Sequence, residues 1–343
     1  MSDSAAVPAT PDTNIAGCVL DRMNEVLPRD AGPHPLHAPT INGNAWAYVK
    51  DCLDTGWVSS VGGWVDRFED MLAEITGARH AVATVNGTAA LHAALLSVGV
   101  EPGDEVLLPS FTFVATANAV AYCGATPHFV DCETDSLGID PVALAAHLDA
   151  IGGTHTGRFG RVGAFSFNGN KTITTGGGGA LITDDDLLAR RLRRLTTTAR
   201  VNDGDDLVHD MVAYNYRMPN INAALGCAQL EGLDELLAAK QSLADQYATV
   251  FGGLHGTRYA AAPSWGLSNN WLCGLVFDDP GDRDAALGAL TDAGYASRPF
   301  WAPLHRMPMY AHAPRAALET TERLAACGLT LPSGAGLAGE IDR

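Results

Sequence analysis

From residue 81 onward, short apolar runs alternate with stretches of helical spacing. The runs at 81–85, 105–110 and 126–131 are too short for helices and are bounded by turn residues, so they predict buried strands. Residues 89–98, 115–122 and 141–150 carry the helical pattern. Strands of this length separated by helices of about ten residues predict an α/β fold, a parallel sheet covered on both faces. Another strand is due after 150. Instead Ile151 to Gly160 reads as a loop and runs straight into the apolar run 163–167. A second short run, 180–182, completes this region.

On either side the pattern is less regular. Residues 1–13 read as a disordered arm, 15–26 has weak helical spacing, and Pro33, Pro35 and Pro39 make 28–43 an extended connector. Helices are expected at 45–53 and 68–75, with a glycine-rich loop between them. Beyond 182 the pattern predicts a basic helix at 187–195 with a solvated arginine face, then one long helix from Ala223 to about Phe251. Short strands (272–277) and helices (282–293, 319–327) follow as a smaller α+β lobe. The expected division is an N-terminal arm at 1–34, a large domain at 35–235 and a small C-terminal domain at 236–343.

Composition narrows the class. The 343 residues are 47% hydrophobic and 18% charged, which is globular, and Lys plus Arg number 22 against 39 for Asp plus Glu, a formal charge of −17. That balance argues against a general phosphate-backbone binder, but not against a locally positive pocket. Seven scattered cysteines with no C-x-x-C spacing fit reduced thiols in the cytoplasm. No apolar stretch is long enough to span a membrane, and no His spacing suggests a metal.

Several stretches carry candidate chemistry. Lys171 lies between two strand-like runs, followed by Thr174, Thr175 and the glycines 176–179. It reads either as a Schiff-base lysine under a mobile glycine loop or as a solvated lysine in a hairpin. Asn86-Gly87-Thr88 turns a strand into a helix, with Thr88 as a good N-cap, and suits a phosphate or is simply a capped turn. Phe113 follows a strand at the end where open α/β sheets bind ligands, and either stacks on a planar ring or belongs to the core. The Ser166 hydroxyl donates to a phosphate or ties down its turn. The polar groups of 214–218 reach a ligand or cap the long helix. Arg298 and the Leu304-His305-Arg306 turn recognise an anionic substrate or form a salt-bridged surface. No P-loop or G-x-S-x-G motif occurs, and the 176–179 glycines lack a dinucleotide-binding context.

Taken in order, Asn86-Gly-Thr-Ala-Ala-Leu, Pro109-Ser-Phe-Thr-Phe-Val-Ala-Thr, Phe165-Ser-Phe-Asn-Gly-Asn-Lys with Thr174-Thr-Gly-Gly-Gly-Gly, and Tyr214-Asn-Tyr-Arg-Met resemble the DegT/StrS family of sugar aminotransferases. Asp54-Thr-Gly-Trp-Val-Ser-Ser-Val and Arg298-Pro with Leu304-His305 look like its nucleotide-sugar, LegC-like branch. That branch aminates 4-keto-6-deoxy sugars for surface glycans of the legionaminic-acid and perosamine kind. The resemblance implies a type I pyridoxal-phosphate transferase fold, like that of aspartate aminotransferase, and pyridoxal 5'-phosphate as cofactor. It implies that Lys171 bonds the cofactor and shuttles the proton, and that Phe113 stacks on its ring. Gly87, Thr88, Ala89, Ser166 and Asn168 would line the cofactor site, with Asn215 reaching the phosphate from the second subunit of a homodimer. Trp57, Arg298 and His305 would bind substrate, and glutamate would donate the amino group.

The resemblance also implies two more strands between the third helix and the lysine strand, the second ending in an aspartate that pairs with the pyridine nitrogen. A strand–helix–strand of roughly 50 residues is therefore expected to be missing near 150–158, from the centre of the sheet between the lysine strand and the Pro109 strand. Its absence leaves three readings open: an active aminotransferase, a non-catalytic relative that dimerises, and a truncated, unstable gene product.

Overall fold

The computed structural model describes residues 14–139, 160–203 and 206–338. The expected disordered arm, the third helix at 141–150 and the departure at 150–158 lie outside the described residues.

The chain opens with α1 (Ile15–Val26), α2 (Ala45–Thr55) and α3 (Gly63–Thr76), then β1 (His80–Thr84), α4 (Gly87–Val98), β2 (Glu105–Pro109), α5 (Ala115–Tyr122) and β3 (Thr126–Val130). The described chain resumes with β4 (Gly163–Ser166), β5 (Gly179–Thr183) and α6 (Asp186–Thr196), then the hairpin β6 (Arg200–Asp203) and β7 (Asp206–His209). Helices α7 (Asn220–Glu231) and α8 (Leu233–Phe251) lead to β8 (Thr257–Tyr259), β9 (Cys273–Phe277), α9 (Pro280–Asp292), β10 (Arg298–Pro299), α10 (Glu319–Cys327) and β11 (Gly328–Leu331).

Among the described residues, one sheet has the order β1-β5-β4, a second pairs β2 with β3, and a third runs β10-β11-β9-β8. The expected all-parallel pattern needs correction. β2 and β3 are parallel, but β5 runs antiparallel to both β1 and β4. A short connection with no crossover helix joins β4 to β5, and such a connection reverses the chain. Among the described residues the β2–β3 pair and the β1-β5-β4 sheet are thus separate sheets.

Two further expectations change. The long helix breaks at Gly232 into α7 and α8, because glycine weakens a helix interior. The arginines of α6 are not merely solvated. Its N-cap Asp185 accepts from Leu187 and Leu188 N–H, while Arg193 pairs with Glu69 at 2.6 Å and Arg194 with Asp210. The β6–β7 hairpin carries no sequence signal strong enough to have predicted it.

Two cores position the site. Phe68 and Leu72 of α3, Ala83 of β1, Ile182 of β5, Met218 just before α7 and Cys227 of α7 bury together. Buried Glu69 stitches this core to its surroundings: it accepts from Ala83 N–H at 2.7 Å and pairs with Arg193 and Arg217. In the C-terminal lobe, Val19 and Met23 of α1 pack with Tyr247, Leu275, Leu290 and Tyr295, and Tyr295 donates to Leu27 O at 2.6 Å. Each such buried side chain contributes about 1.5–3 kcal/mol, so α1 is part of that lobe's core.

Candidate active site

The strand ends lie level across the first sheet. Thr84 pairs with Gly179, and Gly179 with Ser166. Two residues past Thr84 the chain turns into α4, and the cap is Asn86, whose side chain accepts from Ala89 N–H at 2.8 Å. This corrects the expectation for Thr88, which is the second residue of the helix. Asn86 is the last residue with extended backbone, so its carboxamide is the one that reaches back over the first turn. Ala89 N–H is thereby taken, while the Gly87 and Thr88 amides belong to the first-turn donors that a helix leaves unpaired.

Glycine is required at this turn for space. A Cβ on Gly87 would lie 2.8 Å from the Ser166 Cβ, and one on Gly179 would lie 2.5 Å from the Asn86 carbonyl. The Ser166 hydroxyl is thus brought against the α4 N-terminus, together with two free amides and the positive end of the helix dipole.

The β4–β5 connection carries the lysine. Phe167 N–H donates to Gly178 O at 2.8 Å, Thr175 N–H to Phe167 O at 3.0 Å, and Lys171 N–H to Asn168 O at 2.9 Å. Asn222 donates to Thr175 O at 2.7 Å, and Gly178 is buried against Thr175 and Met218. Gly178 and Gly179 are therefore a tightly packed strand entry, while Gly176 is exposed with φ +78° and Gly177 has open space around it. Lys171 is half-buried, and its Nζ sits 3.2 Å from the centroid of the Trp271 ring. Desolvation lowers its pKa to about 8. No carboxylate among the described residues contributes to that shift. The solvated-hairpin reading of Lys171 does not survive this geometry.

Three residues that sequence reasoning passed over surround the lysine. The Trp271 indole donates to Asn170 O at 2.6 Å. Lys240 of α8, 1% exposed, donates to the carbonyls of Ser333 and Trp271 and to His37 Nε2 at 3.2 Å. Burial, with the charges of Lys240 and Lys171, lowers the His37 pKa to about 4, so the ring is neutral. Lys240 had a legible signal: it falls on the helical face of Leu236, Leu243, Ala244 and Tyr247, all buried.

The other expected residues are dispersed. Phe113 is 55% exposed and meets Trp301 at 5.7 Å between ring centroids, and Trp301 meets Trp271 at 5.9 Å. Two indoles thus connect Phe113 to Lys171. Asn168 is exposed and donates to Asn170 Oδ1 at 3.2 Å. Asn215 is exposed and bridges to Thr197, while its neighbour Arg217 is committed to Glu69. Trp57 is exposed and lines one depression with Trp64, Arg67 and Asn220. His305 lines another with Arg306, Arg315 and Glu322. It is buried, and both ring nitrogens are engaged, Nδ1 with Ser110 Oγ at 2.8 Å and Nε2 with Glu322 at 2.7 Å. Arg298 is exposed at the edge strand β10.

Residues 39–152 and 145–342 match the model of the DegT/DnrJ/EryC1/StrS aminotransferase family. The chain belongs to that family. The two stretches meet where the expected strand–helix–strand is missing. The chain is 34% identical over 348 residues to GDP-perosamine synthase of Vibrio cholerae, covering 88% of this chain and 94% of that one. It is 37% identical over 354 residues to the GDP-perosamine synthase of Caulobacter vibrioides, covering 89% and 95%. Each comparison is longer than the 343-residue chain, though it takes in less than nine-tenths of it. These relatives therefore carry residues with no counterpart here. Among solved structures, the aminotransferase TlmJ from Streptoalloteichus hindustanus superposes with a TM-score of 0.80 at 26% identity, covering 87% of this chain and 93% of that one. DesI, solved in the presence of its TDP-sugar product, gives 0.78 at 28% identity, covering 91% and 92%.

The fold is that of type I pyridoxal-phosphate transferases, and pyridoxal phosphate is the cofactor of the family. The cofactor needs donors for a dianion at one end and a deprotonable amine at the other. Gly87 and Thr88 amides and the Ser166 hydroxyl are donors of the first kind, and the partly desolvated amine of Lys171 is a group of the second. These residues fit it. The stretch in which its ring-nitrogen carboxylate was sought lies outside the described residues. Among the described residues no group of His, Cys, Asp and Glu could hold a metal ion, and no helix is long and apolar enough to cross a membrane.

Proposed function

We propose that this chain transfers an amino group from glutamate to the ketone of a nucleotide-linked 4-keto-6-deoxy sugar, as a step in building the sugars of surface polysaccharides. The observation that carries the reading is Lys171 itself: an amine with its pKa lowered to about 8, in a chain 34% and 37% identical to two GDP-perosamine synthases.

Bound at this site, pyridoxal phosphate supplies a reactive carbonyl carbon and a ring that takes up the electron pair released when a substrate Cα proton leaves. The chain does the rest. Gly87 and Thr88 amides, the α4 dipole and the Ser166 hydroxyl fix the phosphate. Lys171 Nζ, neutral in half the molecules near pH 8, is the atom that bonds the cofactor and later holds and returns the transferred proton. Phe113 and Trp301 form an aromatic wall, and the exposed side chains of Arg298 and Trp57 are available to the anionic and ring portions of a nucleotide sugar. His305 acts by fixing its own turn to β2 through Ser110.

The active form is a homodimer. Asn215 and the adjoining Met211 and Val212 are exposed, Val212 at 86%, so this segment offers an apolar surface to a second copy and Asn215 to that copy's phosphate site. All seven cysteines are unpaired, which fits a reducing cytoplasm.

The test is spectroscopic. Purified protein mixed with pyridoxal phosphate gains the visible absorbance of a lysine-bound cofactor, Lys171→Ala lacks it, and glutamate bleaches it. Failure of the unaltered chain to gain that absorbance would sink the proposal. Absorbance without glutamate bleaching favours a non-catalytic relative.

A further inference from the structure

We propose that the indole of Trp271 is the docking place of the Lys171 amine whenever that amine is not bonded to the cofactor. The proposal rests on the reading of Lys171 as the cofactor lysine, since transamination must release and recapture that amine. A freed amine needs somewhere to wait, close at hand and weakly held.

The geometry provides such a place. Lys171 Nζ lies 3.2 Å from the indole centroid, over the ring face, where the quadrupole attracts an ammonium but not a neutral amine. The residue is held by one ring bond and two backbone bonds. Its Nε1–H donates to Asn170 O at 2.6 Å, its backbone N–H to Asn269 Oδ1 at 3.1 Å, and its carbonyl accepts from Lys240 at 3.2 Å. Asn170 directly precedes Lys171, so the same bond that orients the indole also fixes it relative to the lysine turn. Lys240 is in turn anchored by Ser333 O and His37 Nε2. Trp271 is therefore a fixed platform supplied by the C-terminal lobe.

The charged surroundings make the dock selective for protonation state. His37 is neutral, and Lys240 is turned to carbonyls and to His37. No carboxylate among the described residues contributes to the Lys171 shift, so the indole is the group on this face that favours the ammonium. Protonation keeps the amine docked; deprotonation releases it. Trp271 is a positioning residue.

Trace acetylation of the cofactor-free full chain with acetic anhydride across pH 6–10, read by mass spectrometry on the Lys171 peptide, tests this. The unaltered chain should label with a midpoint near pH 8. Trp271→Leu removes the ring face, so the midpoint should fall and labelling at pH 7 should speed up about three- to tenfold. Trp271→Phe keeps a ring face and should stay near the unaltered profile, which a purely structural role would not predict. An unchanged or raised midpoint in folded Trp271→Leu overturns the proposal. Should that variant not fold, tryptophan fluorescence decides. Because Lys240 titrates in the same range, the comparison is made in a Lys240→Met background. There a pH transition near 8 must be present and must be lost on adding Lys171→Met, and identical titrations overturn the dock. Added pyridoxal phosphate should protect Lys171 from labelling. Lack of protection refutes the cofactor reading while leaving the dock measured on its own.

Discussion

Gly87 and Ser166 touch so closely that a methyl on the glycine would stand 2.8 Å from the serine Cβ. The helix that offers amides to an anion and the strand that offers a hydroxyl are thus held in van der Waals contact by the lack of one side chain. Gly87→Ala should force α4 away from β4 at a cost of about 1–3 kcal/mol. It should weaken pyridoxal phosphate binding at least tenfold, measured by titration and by urea unfolding. Pairing it with Ser166→Gly, which removes the opposing Cβ, should restore stability but not full affinity. Normal affinity in Gly87→Ala would show that the contact does not shape the site.

Glu69 is the buried hub behind that site. Its carboxylate holds Arg217 and Arg193 and accepts the Ala83 N–H of β1. Glu69→Ala strands the Arg217 guanidinium, whose side chain is 12% exposed. Breaking one partner of a buried pair costs about 3–5 kcal/mol. Thermal and urea unfolding should show that loss. The segment carrying Asn215 should also loosen, read as faster amide exchange at 214–217. A loss no larger than that of a surface substitution would mean the hub is solvated.

The order of elements was legible because the strands of the large domain are short apolar runs whose period leaves little choice. Val82, Leu108 and Phe129 are buried in the strands expected of them. Direction was less legible: nothing in 180–182 says that β5 runs antiparallel to β1, since a fully buried strand reads the same either way. Lys171 and Gly87 were readable as members of local motifs. Trp271 and His37 were not, because their relation to the lysine is made by tertiary packing across 100 or more positions of chain. The Thr88 cap failed for a local reason, since Asn and Thr two residues apart both suit a cap and only backbone geometry decides between them.

Lys240 gives stability an unusual dependence on pH. Burial lowers its folded-state pKa from 10.5 to about 8. Between those values the unfolded chain keeps the proton that the folded chain has released. Stability therefore rises with pH across that window, and the buried charge costs most below pH 8. The full rise attributable to Lys240 is about 3 kcal/mol. Urea unfolding from pH 7.5 to 10 should show the rise in the unaltered chain and a smaller one in Lys240→Met, with Lys171 and the tyrosines contributing equally to both. Parallel profiles would place the Lys240 charge in contact with water.

The last prediction concerns the interrupted sheet. Among the described residues β2 pairs with β3 alone, and β4 with β5 alone, so each has one edge without a strand partner. On β2, Leu107 is 66% exposed, and Tyr122 of the neighbouring α5 is 57% exposed. An apolar side chain on an open edge strand invites pairing with another copy, and natural proteins suppress this with lysine. Leu107→Lys should therefore delay aggregation on warming and raise the soluble concentration. It should leave the cofactor absorbance unchanged, because Leu107 touches none of the groups placed around Lys171. Light scattering against temperature measures the first effect and a cofactor titration the second. If the unaltered chain stays monodisperse and Leu107→Lys changes nothing, the β2 edge is covered, and the two halves of the sheet are joined by chain outside the described residues.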